Sequence, residues 1–231
     1  MILQHPAGPG DVARAVSALG LGGPRPVLTV VGGAGGLDDE LHDRLVTLFC
    51  EVIAPAVARH GGVAVDGGTA SGVMRLLGRA RAGGPEFPLI GVAAGGTVQF
   101  PGNRPKIDDF QPLDPHHTHF VVVPGDAWGT ESPYIPLVAT AVAAGAPLVT
   151  LLVNGGDIAL ADALLSVAHG IPLLVLSGTG RLADRIAAAV AGHPPAGDER
   201  LARLAVSDLV RVVPVDDHIE VAGRLERHLG R

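Results

Sequence analysis

The sequence predicts an α/β protein: a doubly wound, mostly parallel sheet of about seven strands with helices on both faces. Two features carry that expectation. A short run of β-branched and apolar residues ending in glycines and followed by a helical pattern occurs six times along the 231 residues. The runs are apolar at nearly every position and do not alternate, which is the pattern of strands covered on both sides.

In chain order, Val27–Val31 ends at Gly32-Gly33-Ala34-Gly35-Gly36 and opens one long helix from about Asp38 to Arg59. Val63–Val65 leads through Asp66-Gly67-Gly68-Thr69-Ala70-Ser71-Gly72 to a helix ending near Arg81, and Leu89–Ala93 runs into Ala94-Gly95-Gly96. His119–Val123 ends at Pro124-Gly125-Asp126, with helix resuming near Pro133. Leu148–Val153 meets Asn154-Gly155-Gly156 and a helix to about His169; Pro172–Leu176 meets Ser177-Gly178-Thr179-Gly180 and a helix to about Val190. Parallel strands with right-handed crossovers set all these bends along one carboxyl edge of the sheet.

Two segments break the rhythm. Thr97–His117 is rich in proline and charge and too long for an idle connection, so it is expected to fold over the carboxyl edge as a lid or rim. Beyond Gly192, a helix from about Asp198, a seventh apolar run (Val210–Val215) and a last helix (Ile219–Leu229) read as an α–β–α extension. The whole is expected to be a single domain, with a core over 26–190 and the extension over 191–231.

Composition narrows the function. The formal net charge is -6, and no basic stripe of the kind that neutralises nucleic-acid phosphates is visible. A single cysteine permits no internal disulfide and fits a reducing, cytoplasmic setting. Cys50 lies in an apolar helical run (Leu45, Val46, Leu48, Phe49, Val52, Ile53), which predicts a buried, inert thiol. Tyr134–Asn154 carries no charge over about the length of a membrane span, but Gly145-Ala146-Pro147 divides it into helix and strand, so membrane insertion is not expected. Ala-rich helices such as Pro133–Ala144 could lie inside the fold or form a homodimer interface.

The glycine bends carry the chemistry. A strand that ends in glycine and opens a helix presents free backbone N–H groups, and glycine lets a phosphate approach without a Cβ in the way. The candidate ligand-binding residues are Gly32, Gly33, Ala34, Gly67, Gly68, Thr69, Ser71, Gly72, Gly95, Gly125, Gly129, Thr130, Glu131, Asn154, Gly155, Gly156, Ser177, Gly178, Thr179, Gly180 and Arg181. No Gly-Lys-Ser/Thr follows any bend, so none is a P-loop. The first bend lacks the strict dinucleotide fingerprint, and no acid ends the second strand at the ribose position unless Asp66 serves, which disfavours an ordinary NAD-dependent dehydrogenase.

Within Pro124–Ser132, Glu131 either meets ribose hydroxyls or acts as a base, or it is a first-turn carboxylate stabilising a helix. Arg181 and Asp184, three residues apart, form either an ion pair or a phosphate contact through the arginine. His116, His117 and His119 lack neighbouring ligands at metal spacing, so structural or rim histidines are expected and no metal.

Several of these segments together resemble the N-terminal cytosolic region of melastatin-type transient receptor potential channels. Val65–Met74 is similar to its "GGT-x-x-GVM", Leu113–Phe120 to "LDP-x-HTHF", Leu152–Gly156 to "V-x-GG" and Ser177–Asp184 to "GSGR-x-x-D". With Gly32-Gly33-Ala34 at the first strand, the matches run in family order over roughly residues 26 to 190. On these motifs the chain is identified as a free-standing prokaryotic member of the LSDAT group of the SLOG superfamily, alongside the Lonely-guy phosphoribohydrolases and the DprA/Smf proteins. The resemblance implies a Rossmann-like domain that senses nucleotide-derived ligands such as ADP-ribose, cyclic ADP-ribose or NAD-related molecules, with no other cofactor required. It carries over to the glycine turns, Thr69, Ser71, Gly129 with Glu131, and Gly178 to Arg181 with Asp184. Lonely-guy enzymes place a glutamate two or three residues beyond "PGGxGT"; here the segment has an insertion, Glu131 directly follows Thr130, and Ser132 and Pro133 hold those positions.

The expectation is therefore a ligand sensor for a phosphate-bearing nucleotide derivative. The alternative is an N-glycosidic hydrolase of nucleoside phosphates or NAD with Glu131 as its catalytic residue. A DprA-like nucleic-acid binder is the weakest reading, given the acidic balance.

Overall fold

The computed structural model describes residues 1–33, 35, 38–193 and 197–230. Among them, eight strands form one sheet: β1 (Ile2–Gln4), β2 (Val27–Gly32), β3 (Val63–Asp66), β4 (Leu89–Ala94), β7 (His119–Val123), β8 (Leu148–Val153), β9 (Leu173–Ser177) and β10 (Val210–Pro214). Their order across the sheet is β1-β7-β4-β3-β2-β8-β9-β10, and every neighbouring pair is parallel. The fold is thus the doubly wound, Rossmann-like α/β class. The strand beyond the expected seven is β1, only three residues long and carrying Gln4, too short to show a strand pattern; it is held by its register against His119–Val121 of β7.

Alternate residues of each strand feed opposite faces. On one face Leu28, Val30, Ala64, Val149, Leu151, Val153 and Leu174 pack with α2 (Asp39–Leu48), α3 (Ala54–Arg59), α4 (Gly72–Ala82) and α9 (His218–Leu229). On the other, Val27, Val63, Ile90 and Val121 meet α1 (Val12–Ser17) and α5 (Tyr134–Ala143). On that same side Leu152, Leu173 and Val175 meet α6 (Asp157–Ala168), α7 (Arg181–Val190) and α8 (Glu199–Ala205). The C-terminal elements are bound into the first layer by Arg44, which pairs with Asp216 at 2.6 Å, and by Glu226 of α9, which binds Arg59 and His60.

The long second helix is not uniform. Between α2 and α3, Phe49–Ile53 forms a π turn. Pro55 follows at once; it has no N–H to donate and crowds the carbonyl one turn back, and the wider turn accommodates it. In this stretch Leu45, Leu48, Phe49 and Ile53 fill the buried stripe, which leaves Cys50 on the opposite face and exposed. The expected buried thiol is therefore corrected: the apolar run is longer than the stripe it feeds.

The uncharged stretch from Tyr134 divides as expected, with α5 ending at Ala143, Ala144 in left-handed geometry (φ 46°) and β8 starting at Leu148. Among the described residues no helix is long and apolar enough to cross a membrane.

The connection from β4 to β7 contains no helix among its described residues. Its place is taken by a loop with a two-residue parallel pair, β5 (Val98–Gln99) and β6 (Gln111–Pro112), whose Val98 and Leu113 pack on Phe120 and Val122. The loop is fastened by Asn103 Nδ2, which donates to the carbonyls of Gly95 (2.8 Å) and Val98 (2.7 Å), and by Lys106 paired with Asp126 at 2.9 Å.

Its end is anchored by a buried charge cluster. His117 Nε2 lies 2.8 Å from Asp66 Oδ1 and Nδ1 lies 3.1 Å from Asp114 Oδ1, with the ring stacked 5.4 Å from Phe120. Burial, the largest influence, disfavours the imidazolium, but the two carboxylates together outweigh it and raise the His117 pKa to about 9. His117 is a buried cation at neutral pH, joining β3 to the returning loop.

Candidate functional site

A parallel sheet opens a crevice at its carboxyl edge where strand order reverses, because the flanking connections leave in opposite directions. Here β2 lies between β3 and β8, and the crossovers diverge at that point. A cavity of about 690 Å³ occupies the place. Its wall includes Gly32, Gly33 and Gly35 after β2, Gly67, Thr69 and Ser71 after β3, and Gly156, Asp157 and Ile158 at the start of α6. Arg181 of α7, Glu131 from the turn before α5, and Asp162 of α6 complete it, while Asp109, Gln111 and Trp128 form a rim. The 97–117 segment is thus a rim of the cavity, with Trp128 Nε1 donating to Asp109 Oδ2 at 3.2 Å.

The glycines at the β2–β8 junction are required by packing as well as by access. A Cβ on Gly32 would stand 2.2 Å from the Val153 carbonyl oxygen, and one on Gly33 would stand 2.7 Å from Asn154 Oδ1. The first-turn amides of α6 have no partner inside the helix, and the residues that carry them line the cavity, where a helix N-terminus favours negative charge. Arg181, in left-handed geometry (φ 49°), extends back across the cavity so that Nη1 donates to the Gly35 carbonyl at 3.1 Å.

The cavity therefore gathers Gly32, Gly33, Gly67, Thr69, Ser71, Glu131, Gly156 and Arg181 from the sequence candidates. The other described candidates lie off its wall, and the structure shows what holds them. Gly68 has its Cα side against Gly91 and the Phe120 ring, where a Cβ would come within 2.7 Å and 2.9 Å. Gly72 is the first residue of α4. Gly95 N donates to Val123 O and Gly96 N donates to Gly125 O, so the β4 and β7 bends close on each other. Gly125 in turn abuts Thr130, whose hydroxyl donates to Ala127 O.

Asn154 and Gly155 lie beneath the wall. Asn154 Nδ2 donates to the Thr179 carbonyl at 2.5 Å and Asn154 Oδ1 accepts from Gly155 N at 2.7 Å. After β9 the amides of Gly178 and Gly180 have internal partners. Asp184 accepts from Gly178 N (2.6 Å) and Gly180 N (3.0 Å), Thr179 Oγ1 accepts from Asn154 N and donates to Leu176 O, and Ser177 O accepts from Val215 N. Asp184 binds these amides, and Arg181 goes to Gly35. Ala34 lies outside the described residues. Asp66 is fully buried and committed to His117 and Gly68 N, away from the ribose role considered for it.

Two carboxyls stand on the α5–α6 side of the cavity. Glu131 accepts from Gly129 N at 3.1 and 3.2 Å; burial drives its pKa up, and the Gly129 amide opposes. Asp162 is 7% exposed, and burial raises its pKa to about 7; the Ser132 hydroxyl opposes and the Glu131 charge adds to the rise. Ser132 is the larger of these two lesser influences, although its hydroxyl falls short of a formed hydrogen bond, since neither Ser132 Oγ nor Asp162 Oδ1 has a partner. Asp162 escaped the sequence reading because it sits within an alanine- and leucine-rich helix with no motif around it. A signal was present: it shares the buried stripe of Ala159, Leu160 and Ala163, where a lone carboxylate is rare.

Among the described residues no group of three or more histidine, cysteine, aspartate or glutamate side chains is arranged to hold a metal.

A family model described as "SLOG in TRPM, prokaryote" matches residues 25–222. The chain belongs to this family. The SLOG match takes in every wall residue named above. Among curated proteins this SLOG chain is similar to transient receptor potential cation channel subfamily M member 2 of Mus musculus, 27% identical over 206 residues. It is also similar to the subfamily M member-like 2 protein of Nematostella vectensis, 28% identical over 202 residues. These alignments cover 73% and 70% of this chain and 13% of each relative, so the SLOG chain spans about an eighth of those proteins. Among solved structures it is similar to the molybdenum cofactor binding protein of Rippkaea orientalis, with TM-score 0.56, 14% identity, and coverage of 88% of this chain and 99% of that one. That likeness is one of fold.

Proposed function

We propose that this chain is a sensor module that binds a nucleotide-derived, phosphate-bearing small molecule, with ADP-ribose, cyclic ADP-ribose and NAD-related compounds as the candidate ligands. The observation that carries the reading is the cavity at the β2–β8 junction, which unites glycine bends from three separate crossovers with the α6 N-terminus and the Arg181 guanidinium. A phosphate fits the amide and guanidinium side, and the Trp128 ring on the rim suits the flat face of a base. The size also fits, since small-molecule pockets span roughly 300–1,000 Å³. Isothermal titration of the purified protein with ADP-ribose, cyclic ADP-ribose, NAD and AMP tests it. Saturable one-to-one binding of at least one is expected; heat of dilution alone from all four contradicts the proposal.

A second reading has one observation in its favour: Glu131 is a buried cavity carboxyl with a raised pKa, a property useful in a general acid or base. In that reading the chain hydrolyses an N-glycosidic bond of a nucleoside phosphate or NAD. Chromatographic release of free base that disappears in Glu131→Gln would favour it over sensing, and an unchanged ligand after prolonged incubation would remove it.

A further inference from the structure

Among the described residues of the cavity wall, Asp162 is the one that holds a buried side-chain oxygen no hydrogen bond satisfies. It is 7% exposed, yet Oδ1 is shielded from solvent and has no hydrogen-bond partner. An unsatisfied buried carboxyl oxygen costs stability, and such groups persist where a ligand satisfies them. The adjacent Ser132 hydroxyl is also unpartnered. Glu131, beside it on the same wall, is already fixed by the Gly129 amide and remains an acceptor.

Two close carboxyls cannot both ionise cheaply, so the pair holds a proton, and that proton resides on the group without an amide donor. We propose that Asp162 donates, and Glu131 accepts, hydrogen bonds to the hydroxyls of a ribosyl group, making the carboxyl pair a subsite that selects ribosides over their deoxy counterparts. This rests on the proposed nucleotide reading and extends it to the sugar. A vicinal diol offers one hydroxyl to accept from Asp162 and another to donate to Glu131, whereas a second phosphate would meet repulsion from Glu131.

The titratable groups that share the cavity wall with Asp162 are Glu131 from the turn before α5, Asp157 from its own helix, Arg181 from α7 and Asp109 from the rim. The helices packed against α6 also carry Tyr134 (α5), Asp184 and Arg185 (α7), and Glu199, Arg200 and Arg203 (α8). The strands β2, β8 and β9 beneath it contain no titratable residue. Asp162 is neutral below about pH 7 and charged above it.

The test is titration of the full chain with AMP, 2′-deoxy-AMP, 3′-deoxy-AMP and inorganic phosphate at pH 6.0 and 8.5, for the wild type, Asp162→Asn and Asp162→Ala. At the lower pH the wild type is expected to bind AMP about tenfold more tightly than at least one deoxy analogue, the worth of one good hydrogen bond. That preference should shrink at the higher pH, where the donor is lost. Asp162→Asn keeps a donor at every pH, so its preference should persist at both, and Asp162→Ala should lose the preference for the hydroxyl that Asp162 holds and keep only that for the hydroxyl bound to Glu131. Equal affinity for AMP and both deoxy analogues in the wild type at the lower pH overturns the subsite while leaving anion binding in place. A preference that is unchanged in Asp162→Ala, or unchanged by pH in the wild type, also overturns it. If neither AMP nor phosphate binds, the nucleotide reading falls and this inference falls with it. Should Asp162→Ala fail to fold, the wild-type pH dependence and the asparagine variant still decide the matter.

Discussion

The bends after β8 and β9 look alike in sequence and differ in what their amides face. Asn154-Gly155-Gly156 and Ser177-Gly178-Thr179-Gly180 each end a buried apolar strand and open a helix of ten or more residues. After β9, Asp184 reaches back from the first turn of α7 and binds the amides of Gly178 and Gly180, while Leu182 N and Ala183 N donate to the carbonyls of Gly155 and Asn154. After β8, the first turn of α6 holds no such carboxylate clasp among the described residues, and Gly156, Asp157 and Ile158 line the cavity. A glycine-rich bend is therefore an anion site only when the protein does not supply the anion itself. The β9 bend supports the β8 bend from behind.

That contrast can be broken from either side. The largest effect is expected from Arg181→Ala, which removes the cavity's charged donor: affinity for ADP-ribose should fall about 10- to 100-fold, as for the loss of a charge-assisted hydrogen bond. Calorimetric titration measures it, with circular dichroism confirming an unchanged fold. The matching change at the closed bend, Asp184→Asn, keeps one acceptor oxygen and sets an NH2 against the other amide, so unfolding stability should fall by about 1–2 kcal/mol while affinity stays within about twofold. Equal loss of affinity in both variants would erase the distinction between the bends.

Buried charge sharpens the comparison between the two ends of the sheet edge. Removing His117 as His117→Gln leaves Asp66 and Asp114 buried without their cation, and a loss of about 3 kcal/mol or more in denaturant unfolding is expected. The same group sets a pH trend. Its folded pKa is raised, so its contribution is complete below about 6.5 and is lost as pH rises through about 9. Asp162 pulls in the same direction: its folded pKa stands above the ordinary 3.8, so ionising it as pH rises through about 7 costs stability. Thermal stability should therefore decline from roughly pH 4 to 9, with Asp162 acting up to about 7 and His117 from about 6.5 to about 9. Asp162→Asn removes the carboxyl's share, so the variant should be more stable than the wild type at pH 8.5, by about 1–3 kcal/mol, and close to it below about pH 4. Thermal unfolding across this range checks both.

Much of this architecture was legible in the residues. The glycine-terminated apolar runs located seven strands because parallel strands buried on both faces have no choice but continuous hydrophobicity, and Gly145-Ala146-Pro147 divided helix from strand where the uncharged length alone suggests a membrane span. Three things were not legible. Ile2–Gln4 becomes a strand only because β7 offers it an edge. Cys50 is exposed because the helical stripe rejects one position of an apolar run. The fate of each glycine bend depends on a side chain several residues or several elements away, as Asp184 shows at one bend and Arg181 at another. Local pattern finds where anion sites can form; only the assembled fold says which amides remain free.

The most direct measurement is amide chemical-shift perturbation by NMR on the nitrogen-15-labelled protein during addition of ADP-ribose. Large shifts should gather at Gly33, Gly35, Gly156, Asp157 and Ile158, while Gly178 and Gly180 move little. Perturbations centred on Gly178 and Gly180, or spread evenly with no cluster at the β2–β8 junction, would contradict the account.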